Sequence, residues 1–223
     1  MKLTTFKSKE IQSKIAIGLE KVLSVQGFSY KKTYNQFVCN QLDYTYIFNL
    51  LQTAWSDHYS LDVRLYISQK IVEDCLEEIL GTQSHRLTIG NEIGRIYSSP
   101  DGRQVVNGDL HILMIQDEDI EAAVETLGGY YNNIANPYFH KYNNLAAIDN
   151  IINNPPFEHC PAYVGGRFAD RCMKGLIVAR LVSNPLYEKL VLIYDEAIRQ
   201  TMNEASIADY CKVRDYLMYN RIK

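Results

Sequence analysis

Residues 50–68, LLQTAWSDHYSLDVRLYIS, decide the fold. In their second half Leu61, Val63, Leu65 and Ile67 alternate with Asp62, Arg64, Tyr66 and Ser68. That period of two sends one set of side chains to a core and the other outward, as in a half-buried strand. The first half continues YTYIFNLL, residues 44–51, which is rich in residues suited to a pleated surface. Joined near residues 56–59, the two segments predict a β-hairpin.

Working back from the hairpin, Ile11, Ile15, Leu19 and Val22 recur at helical spacing and predict an N-terminal helix, stopped at Gly27. Residues 28–39 supply one or two earlier strands. Residues 1–34 carry seven lysines against two glutamates, a local charge of +5 that reads as a solvated basic surface.

Working forward, IVEDCLEEIL, residues 71–80, predicts a short helix ended by Gly81, with Ile71, Cys75 and Ile79 inward, joined by Val72 and Leu76. Two further strands are expected near 90–97 and 110–115, separated by the turn signals Pro100-Asp101-Gly102 and Asn107-Gly108. His111 would share a strand face with Leu113 and Ile115 and so read as a hydrogen-bonded core histidine.

From Asp117 the spacing is helical. Asp117 is a candidate cap for a helix burying Ile120, Val124, Leu127, Tyr131 and Ile134, interrupted at Asn136-Pro137. A second helix follows, then a Pro- and Asn-rich linker candidate at 152–166. Residues 168–182 are helical, and Asn184-Pro185 restarts the chain ahead of Leu186, Leu190, Ile193 and Ala197. Ser206 with Asp209 reads as the cap of a last helix. The expected fold class is α+β: a mainly antiparallel sheet packed against an N-terminal helix, followed by a C-terminal helical region. Residues 1–116 would hold the helix and sheet, and 117–223 the helical region packed on it, as two domains or one.

Taken in order, the leading helix, GFSYKKTYNQF, the hairpin and RLTIGNEIGRIY resemble a family of bacterial domains of unknown function. The resemblance rests on Gly27 and Phe28, Leu51 to Thr53, and Arg86, Ile89 and Gly90 or alternatively Glu92 to Gly94, and covers residues 6–153. The tryptophan-bearing segment expected after the second turn is missing, since residues 101–109 hold no Trp. The resemblance implies a compact sheet-and-helix module of bacterial type that binds another protein. The leading expectation takes its concrete form as an immunity or accessory role.

Composition narrows the function classes. A net charge of −3 argues against broad binding to nucleic acid or to anionic membranes, which depends on clustered Lys and Arg. Five cysteines without a CxxC pair suggest neither a disulfide framework nor a zinc ribbon. The N-terminus lacks a signal-peptide pattern, and no run approaches the ~18 apolar residues of a spanning helix. A soluble cytoplasmic protein is expected.

Ser56, Asp57 and His58 are the residue types of a hydrolase triad, yet neighbours along an extended chain point to opposite sides and no G-x-S-x-G elbow is present. A hairpin tip is the better reading. Trp55, His58 and Tyr59 around that tip are the candidate partner-binding residues, because amphipathic rings anchor interfaces. A second candidate is GGRFADRCMKG, where Gly166, Arg167, Arg171 and Lys174 would form an anion-binding basic stripe at a helix N-terminus, unless Asp170 pairs with Lys174. The five histidines show no HxxxH or HExxH spacing, and Glu158-His159-Cys160 reads as linker, so no metal site is expected. With no phosphate or dinucleotide motif, no cofactor is expected either. A non-catalytic protein-binding module is the leading expectation, and an enzyme or binding protein for a small anion near Gly166, Arg167 and Arg171 the alternative.

Overall fold

The computed structural model describes residues 5–83, 86–98, 110–116, 118–153 and 167–220. The turn signals at 100–102 and 107–108, the Asp117 cap, Glu158-His159-Cys160, Gly166 and most of the 152–166 linker lie outside them. The fold is α+β. Among the described residues, six strands form one sheet in the order β1 (Ser29–Lys31), β2 (Gln36–Asn40), β3 (Tyr44–Ala54), β4 (Tyr59–Gln69), β5 (Ile89–Glu92), with β6 (Ile112–Met114) also pairing β4. The β1–β2, β2–β3 and β4–β6 pairings are antiparallel. Two compact units divide the chain, the first taking 5–66, 91–98 and 110–140, the second the described parts of 67–90 and 141–220.

In the first unit the alternation of β4 appears as expected: Tyr59, Leu61, Val63 and Leu65 are all buried. Helix α1 (Thr5–Leu23) lays Ile11, Ile15, Leu19 and Leu23 inward and packs against β1 and β3. Leu23 takes the place expected for Val22, because the face continues at a step of four. Gln52 on β3 reaches back to Ser8 of α1, 3.3 Å from its carbonyl and 3.2 Å from its hydroxyl. Gly27 stops the helical segment at φ 82°, a left-handed conformation that suits glycine.

Helix α4 (Asp119–Tyr130) crosses α1 closely, and a Cβ added at Gly18 would lie 2.8 Å from Val124 Cγ2. The Asp119 carboxylate accepts from the N–H groups of Ile115 and Gln116, at 2.7 and 3.0 Å. The helical path does not break at Pro137 as expected. A π turn over Tyr131–Ala135 widens it, and α5 (Asn136–Lys141) follows directly. Proline lacks an N–H and its ring crowds the carbonyl four residues back, so a wider turn makes room for it. Phe28, Phe48 and Phe139 gather round this turn, with ring centroids 5.6 Å from Phe28 and 6.2 Å from Phe48 to Tyr131.

Two expectations in this unit are corrected. The strand expected at 90–97 ends at Glu92, and the chain continues as the short helix α3 (Ile93–Ser98). In β6 the buried residues are Ile112 and Met114, so His111, Leu113 and Ile115 face outward and His111 is no core histidine. Register explains it: Met114 stands opposite Tyr59 and Ile112 opposite Leu61, and residues directly opposite share a sheet face.

The second unit is helical: α2 (Lys70–Leu80), α6 (Leu145–Asn153), α7 (Phe168–Leu181), α8 (Tyr187–Thr201) and α9 (Glu204–Tyr219). Helix α7 touches the other four. From Cys172 to Ala179 every residue is buried, the signature of a central helix. Gly175 permits the approach of α6, since a Cβ there would sit 2.9 Å from Asn153 Oδ1. Asn153 Nδ2 donates to Asp149 Oδ1 and to Gly175 O at 2.7 and 2.8 Å, while its Oδ1 accepts from Tyr194 OH at 2.7 Å. Asn184 Nδ2 completes the network on Asp149 Oδ2 at 2.6 Å.

Helix α2 ends at Gly81 as expected, but it buries Val72, Glu73, Cys75 and Leu76 rather than Ile71 and Ile79. Helix α8 buries Tyr187, Leu190, Tyr194, Ala197 and Ile198, so Leu186 and Ile193 sit at the edge of its stripe. The cap of α9 is Asn203, whose Oδ1 accepts from Ser206 N at 3.0 Å, three residues before the expected Ser206.

Candidate recognition surface

The β3–β4 hairpin closes through Trp55 N–H donating to His58 O at 2.9 Å. Four residues, Trp55, Ser56, Asp57 and His58, carry the chain round between β3 and β4. Trp55 is 55% exposed, and its indole lies stacked on the His58 imidazole, with centroids 5.8 Å apart and planes 17° off parallel. Its Nε1–H donates to Ser60 Oγ at 3.3 Å. The stack on His58 and the hydrogen bond to Ser60 hold the ring outside the core.

His58 Nδ1 lies 2.7 Å from Asp57 Oδ1. Two members of the apparent triad therefore do meet, but no hydrogen bond among the described residues joins Ser56 to His58. Tyr59 goes the other way. It is 1% exposed and belongs to the inward row of β4, so the exposed aromatic surface at the tip is Trp55 with the edge of His58. The alternation of Leu61, Val63 and Leu65, carried back one step, already puts Tyr59 on that row.

The outward row of β4 continues the surface. Ser60, which holds the indole, stands opposite Leu113 of β6, and Leu113 is 60% exposed. Ile115, just past the strand, is 68% exposed. One step along, Asp62 of β4 pairs with Nδ1 of His111. Further along, Glu92 receives Arg64 Nη2 and lies against Arg95 Nε, both at 3.3 Å. Asp62, Val63, Glu92, Ile93, Gly94, Leu110 and His111 line a small open cleft beside these pairs. The result is two exposed apolar side chains, Trp55 and Leu113, joined through Ser60 and bordered by charges of both signs. The strand expected at 110–115 is present as β6, but the sequence reading put Leu113 on its buried face with His111 and did not join it to the hairpin tip. The available signal was the cross-strand position of Leu113 beside the hairpin.

The second sequence candidate is placed differently from the expectation. Arg167 is exposed at the N-cap of α7, and Arg171 sits with its guanidinium 5.7 Å from the Phe168 ring. Lys174 is turned inward: Nζ lies 2.9 Å from Glu73 Oε2 and donates to Leu87 O at 2.8 Å. Glu73 Oε1 accepts from Thr88 Oγ1 at 2.7 Å, and Thr88 Oγ1 accepts from Gln69 N at 2.8 Å. Lys174 thus answers Glu73, not Asp170 and not a stripe with Arg167 and Arg171. Glu73 could have been found from its place between Val72 and Leu76 on the buried face of α2.

Among the described residues, no three His, Cys, Asp or Glu side chains gather as a metal site, and no helix is long and apolar enough to cross a membrane. Cys39, Cys75 and Cys172 are buried, and burial pushes the Cys75 thiol up to about 11. A thiol held protonated in this way is a poor nucleophile. The chain matches no family model, no curated protein and no solved structure.

Proposed function

We propose that the chain is a non-catalytic protein-binding module whose contact surface is the outward β4–β6 face, centred on Trp55 and Leu113. The supporting observation is an exposed indole held in place by His58 and Ser60 and continued by an exposed leucine on the neighbouring strand. A ring already fixed in the free protein loses little side-chain freedom on binding, which lowers the cost of association. Tryptophan is enriched among the few residues that dominate interface energies. Asp57, Asp62, His111, Arg64 and Glu92 supply the polar rim that orients a partner.

The alternative, a small anion held by Gly166, Arg167, Arg171 and Lys174, has less support. Its lysine is neutralised by Glu73, which leaves Arg167 and Arg171 as the cationic groups on described residues.

The test is retention of proteins from a lysate of the source cells on immobilised wild-type chain, Trp55→Ala, Leu113→Ser and Tyr97→Ala. Tyr97 is an exposed aromatic away from the hairpin tip in sequence, on α3. The expected result is a protein held by wild type and by Tyr97→Ala but released by the other two variants, with thermal unfolding unchanged in all four. Equal retention on all four, or none on wild type, overturns the reading.

A further inference from the structure

We draw no further inference here: the strongest candidate, the cleft beside the Asp62–His111 pair on the β4–β6 face, belongs to the surface already described, and nothing in the structure shows what covers it.

Discussion

Glu73 and Lys174 face each other across α2 and α7 at 2.9 Å, with 0% and 6% of their side chains exposed. The pair is completed by Thr88 on the carboxylate and by the Leu87 carbonyl on the ammonium. Two buried charges cost several kcal/mol each in lost hydration, and their attraction offsets this only with such additional hydrogen bonds. Removing one partner therefore leaves the other buried without the counter-charge it meets at 2.9 Å. Lys174→Met is expected to destabilise the chain by about 3 kcal/mol or more, and Glu73→Gln/Lys174→Met to recover part of that loss. Urea unfolding of the single and double variants checks it. A double variant less stable than Lys174→Met alone would contradict the pairing.

The glycines give a contrast in sign. At Gly128 and Gly129 on α4 an added Cβ meets nothing within 4 Å, whereas at Gly18 it meets Val124 at 2.8 Å and at Gly175 it meets Asn153 Oδ1 at 2.9 Å. Gly129→Ala should stabilise by about 0.5–1 kcal/mol, through helix propensity and a less free unfolded chain. Gly18→Ala and Gly175→Ala should destabilise, because the facing side chains must shift in a packed core. Melting temperatures of the three variants read the outcome, and one sign for all three would refute the argument.

Asp149 provides a pH dependence whose sign is opposite to that of most carboxylates. Burial raises its pKa above the ordinary 3.8, and the hydrogen bonds from Asn153 and Asn184 only partly counter this. A folded-state pKa above the unfolded one means that the folded chain holds the proton more tightly. Its contribution to stability is therefore fully present below the unfolded value and is lost as pH rises through the folded value. The stability of wild type minus that of Asp149→Asn should fall as pH rises from below 3.8 toward neutrality. Urea midpoints of both proteins across this range test it, and a gap that widens in favour of wild type would contradict it.

Thiol reactivity follows burial. Cys211 on α9 is partly exposed, while Cys39, Cys75 and Cys172 are buried and the Cys75 thiol is raised to about 11. Alkylation of the native protein at neutral pH, followed by peptide mapping, should label Cys211 well before these three. Early labelling of Cys75 would show that α2 opens locally.

Much of the fold was legible in the sequence, and the misses share a cause. The long alternation of β4 fixed its inward row, and Gly27 and Gly81 marked helix ends because both need positive φ. Short elements lacked that redundancy. Strand β6 has three residues, too few to choose between 111/113/115 and 112/114 as the buried set, and only pairing with Tyr59 and Leu61 decides it. Glu73 lies between Val72 and Leu76 on the buried face of α2, a position the sequence shows, but its partner Lys174 stands about a hundred positions later and no local pattern links the two. The candidate surface was half legible: Trp55 was visible as a lone tryptophan at a turn, whereas Leu113 joins it only because it stands opposite Ser60, which accepts from the indole.

The most direct test of that surface is the dissociation constant of the retained partner, purified, for wild type and for Trp55→Ala, measured by isothermal titration calorimetry. A central tryptophan anchor carries about 2 kcal/mol or more, so the variant should bind on the order of 30-fold more weakly or worse. A change of less than about twofold, with both proteins folded, would show that recognition lies elsewhere on the chain.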